Sequence, residues 1–377
     1  MLTASRIIKK QVKMNYLNKE NIEHIAVGAS VLASGGGGDP HIGKLMALNA
    51  LKQYGSITLL SVDELEPDAL IVSTGTIGAT MVSFEKLANG EESVTACRLI
   101  EKYLNRKISA IYPIEIGGIN SLWPLVTAAR LGVPLVDVDA MGRAFPEYHM
   151  TTLSLGTVSA SPLAIVDAKL NISLIQTQDN HITEKLARSL CAEMGGTAFL
   201  AAYPISPNDA KKSGILGTLS FAQQIGETIE RARNTKANIV QTLAALLRGF
   251  VLFHGKITKV DQRTVGGFTR GVVYFAGTDK DNGKTFEIFF QNEYLLARSA
   301  ERTLCTTPDL ITLLDEETGT PILTERLRYG IRVVVLGIPA NEKWRTARGI
   351  EVAGPGYFNY GIDYIPLEER VTSSTRA

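Results

Sequence analysis

Residues 108–139 read ISAIYPIEIGGINSLWPLVTAARLGVPLVDVD. Two apolar runs, ISAIYPI (108–114) and VPLVDVD (133–139), enclose a helical pattern over 119–131. A strand, a helix and a second strand within this length form the crossover unit that joins parallel neighbours. Upstream, ITLLS (57–61) and ALIVST (69–74) supply two more apolar runs, and a helical pattern at 92–105 separates them from the unit. The alternation predicts an α/β class N-terminal domain with a largely parallel sheet. Ligands of such sheets bind outside the carboxyl ends of the strands. The residues that follow the runs therefore matter most: Gly75, Thr76, Glu115, Gly117, Gly118, Asn120, Asp137 and Asp139.

Before the sheet, NKENIEHIAVGASVLAS places Ile22, Ile25, Ala26, Ala29 and Leu32 at helical spacing, with Asn18 as its cap. The helix stops at Gly35-Gly36-Gly37-Gly38-Asp39-Pro40, and Pro40 suits the first turn of a second helix running to about Lys52. Gly38 to Lys44 imitates the start of a phosphate-binding loop, but Leu45 stands where Ser or Thr must reach magnesium, and a helix precedes the glycines instead of a strand. The dinucleotide pattern fails at His41, so no nucleotide is expected. Backbone N–H groups of Gly36, Gly37 and Gly38, with Asp39, remain candidates for holding substrate. The same turn also reads as a device for close helix packing.

Beyond residue 168, helical patterns at 181–194, 217–233 and 236–247 lead into FVLFHGKITKV, GFTRGVVYFAG, TFEIFFQN, LITLLD and IRVVVLGI, with a hairpin turn at Asp281-Asn282-Gly283-Lys284. The expected organisation is an N-terminal extension (1–13), disordered or dispensable, with Met14 as an alternative start. An α/β domain (14–167), a smaller β-rich α+β domain (168–366) and a tail (367–377) follow. The charge-poor, Ser/Thr-rich segment 151–168 is taken as the crossing between domains.

The chain has 377 residues, enough for two cores, and 39 basic residues against 38 acidic ones. That balance argues against nucleic acid or an anionic membrane as partner. Cys97, Cys191 and Cys305 are far apart, and no run reaches the ~20 apolar residues of a membrane span, so a reducing cytoplasm is expected.

The chemistry concentrates in Asp137-Val-Asp139-Ala-Met-Gly-Arg143-Ala-Phe-Pro146-Glu147-Tyr-His149. Alternate residues of a strand share a face, so Asp137 and Asp139 are expected side by side, where one carboxyl holds a raised pKa or a cation lies between them. Arg143 is that cation or a fork for a substrate carbonyl, and Asp137, Glu147 and His149 are the candidate ligands of a divalent metal. An Asp–Arg tie at a strand end is the plain structural alternative. Glu115-Ile-Gly-Gly118-Ile-Asn120 adds a second carboxylate as base, a glycine permitting close backbone approach to substrate, and an amide that either binds substrate or caps the next helix. Glu115, Asp139 and Arg143 are thus the expected catalytic set, and Gly36, Gly37, Gly38, Asp39, Gly118 and Asn120 the expected substrate contacts. Among the five histidines only His41 and His149 sit beside charged motifs; the others read as ordinary helix or strand residues. Asn292-Glu293 reads as a polar strand edge.

Taken together, GGGGDP, EIGGIN, DVDAMGRAFPE, the GKI to GGF hairpin and TPDLI resemble the S-methyl-thiohydantoin desulfurase-like family over about residues 14–366. The resemblance implies chemistry on a five-membered hydantoin-like ring, with release of methanethiol from an S-methyl thiohydantoin, and hydrolysis with a carboxylate as base is the expected reaction. A homo-oligomer and association with hydantoinase- or oxoprolinase-type subunits are expected with it. A non-catalytic binding or assembly subunit is the alternative.

Overall fold

The run of strands between residues 57 and 136 forms the middle of an eight-stranded sheet in the computed structural model, which describes residues 15–79, 82, 88–300 and 302–372. The sheet is built from β1 (Asn15–Leu17), β2 (Ile57–Leu60), β3 (Ile71–Gly78), β4 (Ala110–Pro113), β5 (Leu135–Val136), β7 (Leu163–Val166), β8 (Ile172–Ile175) and β9 (Thr197–Ile205), in the order β1-β2-β5-β4-β3-β9-β7-β8. The four strands β2, β5, β4 and β3 are parallel, as the crossover reading requires. The flanks β1, β9, β7 and β8 are antiparallel. All four residues of β4 and all four of β7 are buried, which explains why such strands read as unbroken apolar runs without alternation.

The sheet continues past residue 167, because β8 and the nine-residue strand TAFLAAYPI of β9 belong to it. Three alanines and no period of two make β9 easy to miss in sequence. The expected N-terminal extension 1–13 lies outside the described residues, as do 373–377 of the expected tail; residues Leu367–Thr372 form a short helix.

Strands β6 (Val138–Asp139) and β10 (Ile215–Leu216) pair with each other in a short antiparallel ribbon. The second large sheet comprises β11 (Phe250–Val265), β12 (Phe268–Gly277), β13 (Thr285–Gln291), β14 (Glu293–Ser299), β15 (Arg302–Thr306), β16 (Leu310–Asp315), β17 (Pro321–Ile322) and β18 (Arg332–Ile338). Its order is β15-β14-β13-β12-β11-β18-β16-β17 and every pairing is antiparallel. Gly266-Gly267 turns β11 into β12, and residues 281–284 lie in the β12–β13 connection, both at their expected places. In a core of its own Phe253 stacks on Phe286, which Phe275 meets edge-on.

Helix Lys19–Leu32 starts at the expected cap, where Asn18 and Asn21 satisfy each other's backbone N–H. Its end is clamped by the second sheet. Ser34 Oγ donates to Ile311 O at 3.0 Å, Thr312 Oγ1 donates to Val31 O, Tyr294 N donates to Ser34 O, and Thr324 N donates to Gly35 O. The glycine turn is therefore fixed between the two sheets. Among the described residues no helix is long and apolar enough to cross a membrane, and Cys97, Cys191 and Cys305 are buried thiols.

Candidate functional site

The carboxyl ends of β3 and β4 open on a cleft with a free volume of about 60 Å³. Thr76 and Gly78 come from β3, Glu115 and Asn120 from the segment after β4, and Phe145, Pro146 and Tyr148 from the loop that follows the short strand β6 (Val138–Asp139). Gly37 and Gly38 close one end; Asn292 and Glu293, at the turn between β13 and β14, form the wall given by the second sheet.

The two glycine motifs meet back to back. Ile119 N donates to Gly37 O at 2.9 Å, and a Cβ on Gly118, at φ +67°, would sit 2.3 Å from that same oxygen. Gly37, at φ +68°, would carry a Cβ 2.6 Å from Gly117 O. Only glycine allows both chains this conformation and this approach. The contact explains how a turn between two helices reaches the sheet edge, while Gly36 and Gly118 pack behind it and do not line the cleft.

Glu115 is buried, with Oε1 accepting from Asn120 Nδ2 at 2.6 Å and Oε2 from Phe145 N at 3.2 Å. Asn120 Oδ1 in turn accepts from Thr76 N and Thr76 Oγ1 at 2.8 and 2.9 Å. Asn120 thus positions Glu115 and does not cap the following helix, Trp123–Leu131, whose first turn holds Pro124 instead. Across the cleft, Glu293 Oε1 accepts from Gly37 N at 3.0 Å and its Oε2 has no hydrogen-bond partner. Burial, and then the charge of Glu293, push the Glu115 carboxyl well above the ordinary carboxylate range. Burial raises Glu293 to about 7, against the lowering pull of the Gly37 N–H and of Arg143. Two carboxylates in one poorly hydrated place hold protons that an exposed pair would release.

The cation lining the cleft is Arg188, on helix Asn180–Glu193. Its Nε is held by Glu184, Nη2 donates to Pro146 O, and the guanidinium lies 4.1 Å from the centre of the Phe268 ring. Nη1 is buried without a partner. Nothing local distinguishes Arg188 in sequence, since an arginine on an amphipathic helix reads as a solvated residue. Asn292 and Glu293 were legible only as a polar pair after an apolar strand, and their role depends on the meeting of the two sheets.

Several expected site residues lie elsewhere. The strand breaks at Asp137, so Asp137 and Asp139 do not share an environment. The Asp137 carboxylate accepts from Leu219 N and from Ser220 at the start of helix Thr218–Asn234. Asp139 is fully buried, its Oδ2 accepting from Ile116, Met141 and Gly142 N–H at 2.9, 3.2 and 2.7 Å; burial nevertheless raises it to about 7. It knots two loops behind the cleft. Arg143 is 1% exposed and donates to Ala144 O, Pro308 O, Asp309 O and Tyr294 O, so its fork joins the two sheets from beneath the cleft. Asp39 accepts from His41 N as the cap of helix Pro40–Tyr54 and pairs with Arg326. The expected metal ligands separate too: Glu147 and His149 gather with His181, while Asp137 stands apart. Burial and His181 hold the His149 imidazole down at about 4. Two other groups combine histidine with acids, Glu20/His24/Glu230 and His254/Asp279/Glu316, both with exposed members.

Family models for the S-Me-THD-like N-terminal domain and the S-Me-THD-like C-terminal domain match residues 20–177 and 178–367. The chain belongs to the S-Me-THD-like family. Among curated proteins none matches it. A solved structure of a protein from Chromobacterium violaceum, a structural-genomics target, is similar with a TM-score of 0.78 at 22% identity, covering 94% of this chain and all of that one. That likeness concerns the fold. The two-sheet architecture of this S-Me-THD-like chain is thus one that another protein also adopts.

Proposed function

We propose that this S-Me-THD-like protein is a hydrolase of small hydantoin-like heterocycles, with an S-methyl thiohydantoin as substrate and methanethiol as product. The observation that carries the reading is the facing pair Glu115 and Glu293: two carboxylates kept from water in one small cleft, beside an arginine nitrogen without a partner. A non-catalytic assembly subunit has no need of such an arrangement, and perturbed ionisable pairs gather at functional clefts.

In the proposed sequence Glu293, whose Oε2 has no hydrogen-bond partner, is the ionised partner, and Glu115 holds the proton. Water attacks the ring carbon bearing sulfur, giving one proton to Glu293 through Oε2, while the adjacent ring nitrogen takes the proton of Glu115. The tetrahedral carbon then collapses: its hydroxyl proton returns to Glu115, the C–S bond breaks, and methylthiolate leaves with the proton held by Glu293. The ring carbon ends as a carbonyl and both carboxyls recover their starting states. Arg188 Nη1 binds a ring carbonyl, and Asn120 keeps Glu115 in place through Thr76.

The test is thiol release by the purified full-length chain from a panel of S-methyl thiohydantoins and hydantoins. Glu115→Gln and Glu293→Gln, with folding verified, should each lower kcat by at least ~10²-fold, the lower end of what a positioned acid or base supplies. Absence of thiol release across the panel, or near-normal rates in both variants, would overturn the assignment.

A further inference from the structure

The loop that brings Pro146 and Tyr148 into the cleft wall carries Glu147 and His149 at the alternate positions, and neither of these lines the cleft. They meet His181 instead. A carboxylate oxygen of Glu147 and one ring nitrogen from each histidine lie within 4.8 Å of one another. The two imidazole rings stand nearly perpendicular, 79° apart, with centres 4.8 Å apart. His149 is 7% exposed, and its Nδ1 faces Glu147 Oε2 at 3.5 Å without a hydrogen bond to any group. Glu147 Oε2 is itself oriented by the Tyr357 hydroxyl at 2.8 Å.

We propose that Glu147, His149 and His181 form a binding site for a divalent transition-metal ion, with Tyr357 as the outer partner that orients the carboxylate. A simple Glu147–His149 contact leaves a buried ring nitrogen unsatisfied, at a cost of about 1–3 kcal/mol, and a metal removes that cost. Two imidazoles and one carboxylate are the three-ligand set of zinc sites that keep a fourth position open, and the same set holds iron(II). Magnesium and calcium favour all-oxygen sites, so the two imidazoles disfavour them. Bonds of about 2.0–2.1 Å place tetrahedral ligands about 3.3 Å apart, and His181, half-buried in the first turn of its helix, has the freedom to close the difference. The site would brace a junction already made by two hydrogen bonds: Arg188 Nη2 donates to Pro146 O, and Tyr148 N donates to Glu184 Oε2. The ion would therefore fix the helix that presents Arg188 to the cleft. This inference stands apart from the reaction proposed there.

The experiment is equilibrium dialysis of the full chain, stripped with chelator and freed of it, against Zn2+, and against Fe2+ without oxygen. One ion per chain is expected, and the ion carried by protein purified without added metal names the metal. His149→Gln and His181→Gln should each weaken binding more than ~100-fold, and Tyr357→Phe by about 10–100-fold, as outer-sphere partners do. His24→Gln and His254→Gln, which disable the two other groups, should leave it unchanged. Circular dichroism checks folding, and Tyr357→Phe carries the test if either histidine variant fails to fold. Less than stoichiometric uptake of both ions, or binding abolished by His24→Gln or His254→Gln but kept in Tyr357→Phe, would overturn the site.

Discussion

Replacing Glu293 by Gln should make the protein more stable while making it inactive. Burial holds this carboxyl at about 7 against an ordinary value of 4.5. An acid whose folded pKa is raised binds its proton more tightly in the native state, so its contribution is best at low pH and is lost as pH climbs from the unfolded value through the folded one. The penalty is about 1 kcal/mol at pH 5 and about 3 kcal/mol at pH 8, where the native chain carries an ionised group that water would solvate better. A neutral Gln removes the penalty and keeps an oxygen for the Gly37 N–H. With an unfolding entropy of about 2.1 cal/mol/K per residue over 377 residues, a gain of about 3 kcal/mol raises Tm by about 4 °C. Melting of wild type and variant at pH 5 and pH 8, by calorimetry or circular dichroism, reads this directly. The difference between them should be small at pH 5 and grow toward pH 8. A variant melting below wild type at pH 8 would mean that Glu293 braces Arg143 as a structural ion pair, and the reading of a functionally strained carboxylate would fail.

Other outcomes follow from the same geometry. The pH profile of kcat/KM should rise through a midpoint near 7 as Glu293 ionises, and steady-state rates in which that limb is absent would remove Glu293 as the base. Arg188→Met should raise KM for substrates bearing a ring carbonyl far more than it lowers kcat; an unchanged KM would show that Nη1 does not meet the substrate. Arg143→Met removes a buried donor from four carbonyl oxygens and should cost about 3–5 kcal/mol of stability; a Tm equal to wild type would contradict its bridging role. Gly37→Ala places a Cβ against Gly117 O at a left-handed residue, so soluble yield and activity should fall together, and a normal melting profile would refute the contact.

The sequence alone determined the class of fold and one half of the cleft. Unbroken apolar runs separated by helical periods dictated parallel strands between residues 57 and 136, and the carboxyl-edge rule then pointed to Glu115 and Asn120, which do line the cleft. The motifs behind the family resemblance were local and in order, so they survived without a structure. What the sequence could not decide depends on interruptions and on long-range meeting. One missing ladder position at Asp137 sends two aspartates to different helices and loops, although strict alternation would place them together. Arg143 and Arg188 are indistinguishable by residue type, and only packing decides that the first is sealed between sheets while the second lines the cleft. Glu293 enters the site from 178 positions beyond Glu115, carried there by the clamp between Ser34, Tyr294 and Ile311. Burial then supplies the raised pKa, a property of the assembled interface that no stretch of chain possesses by itself.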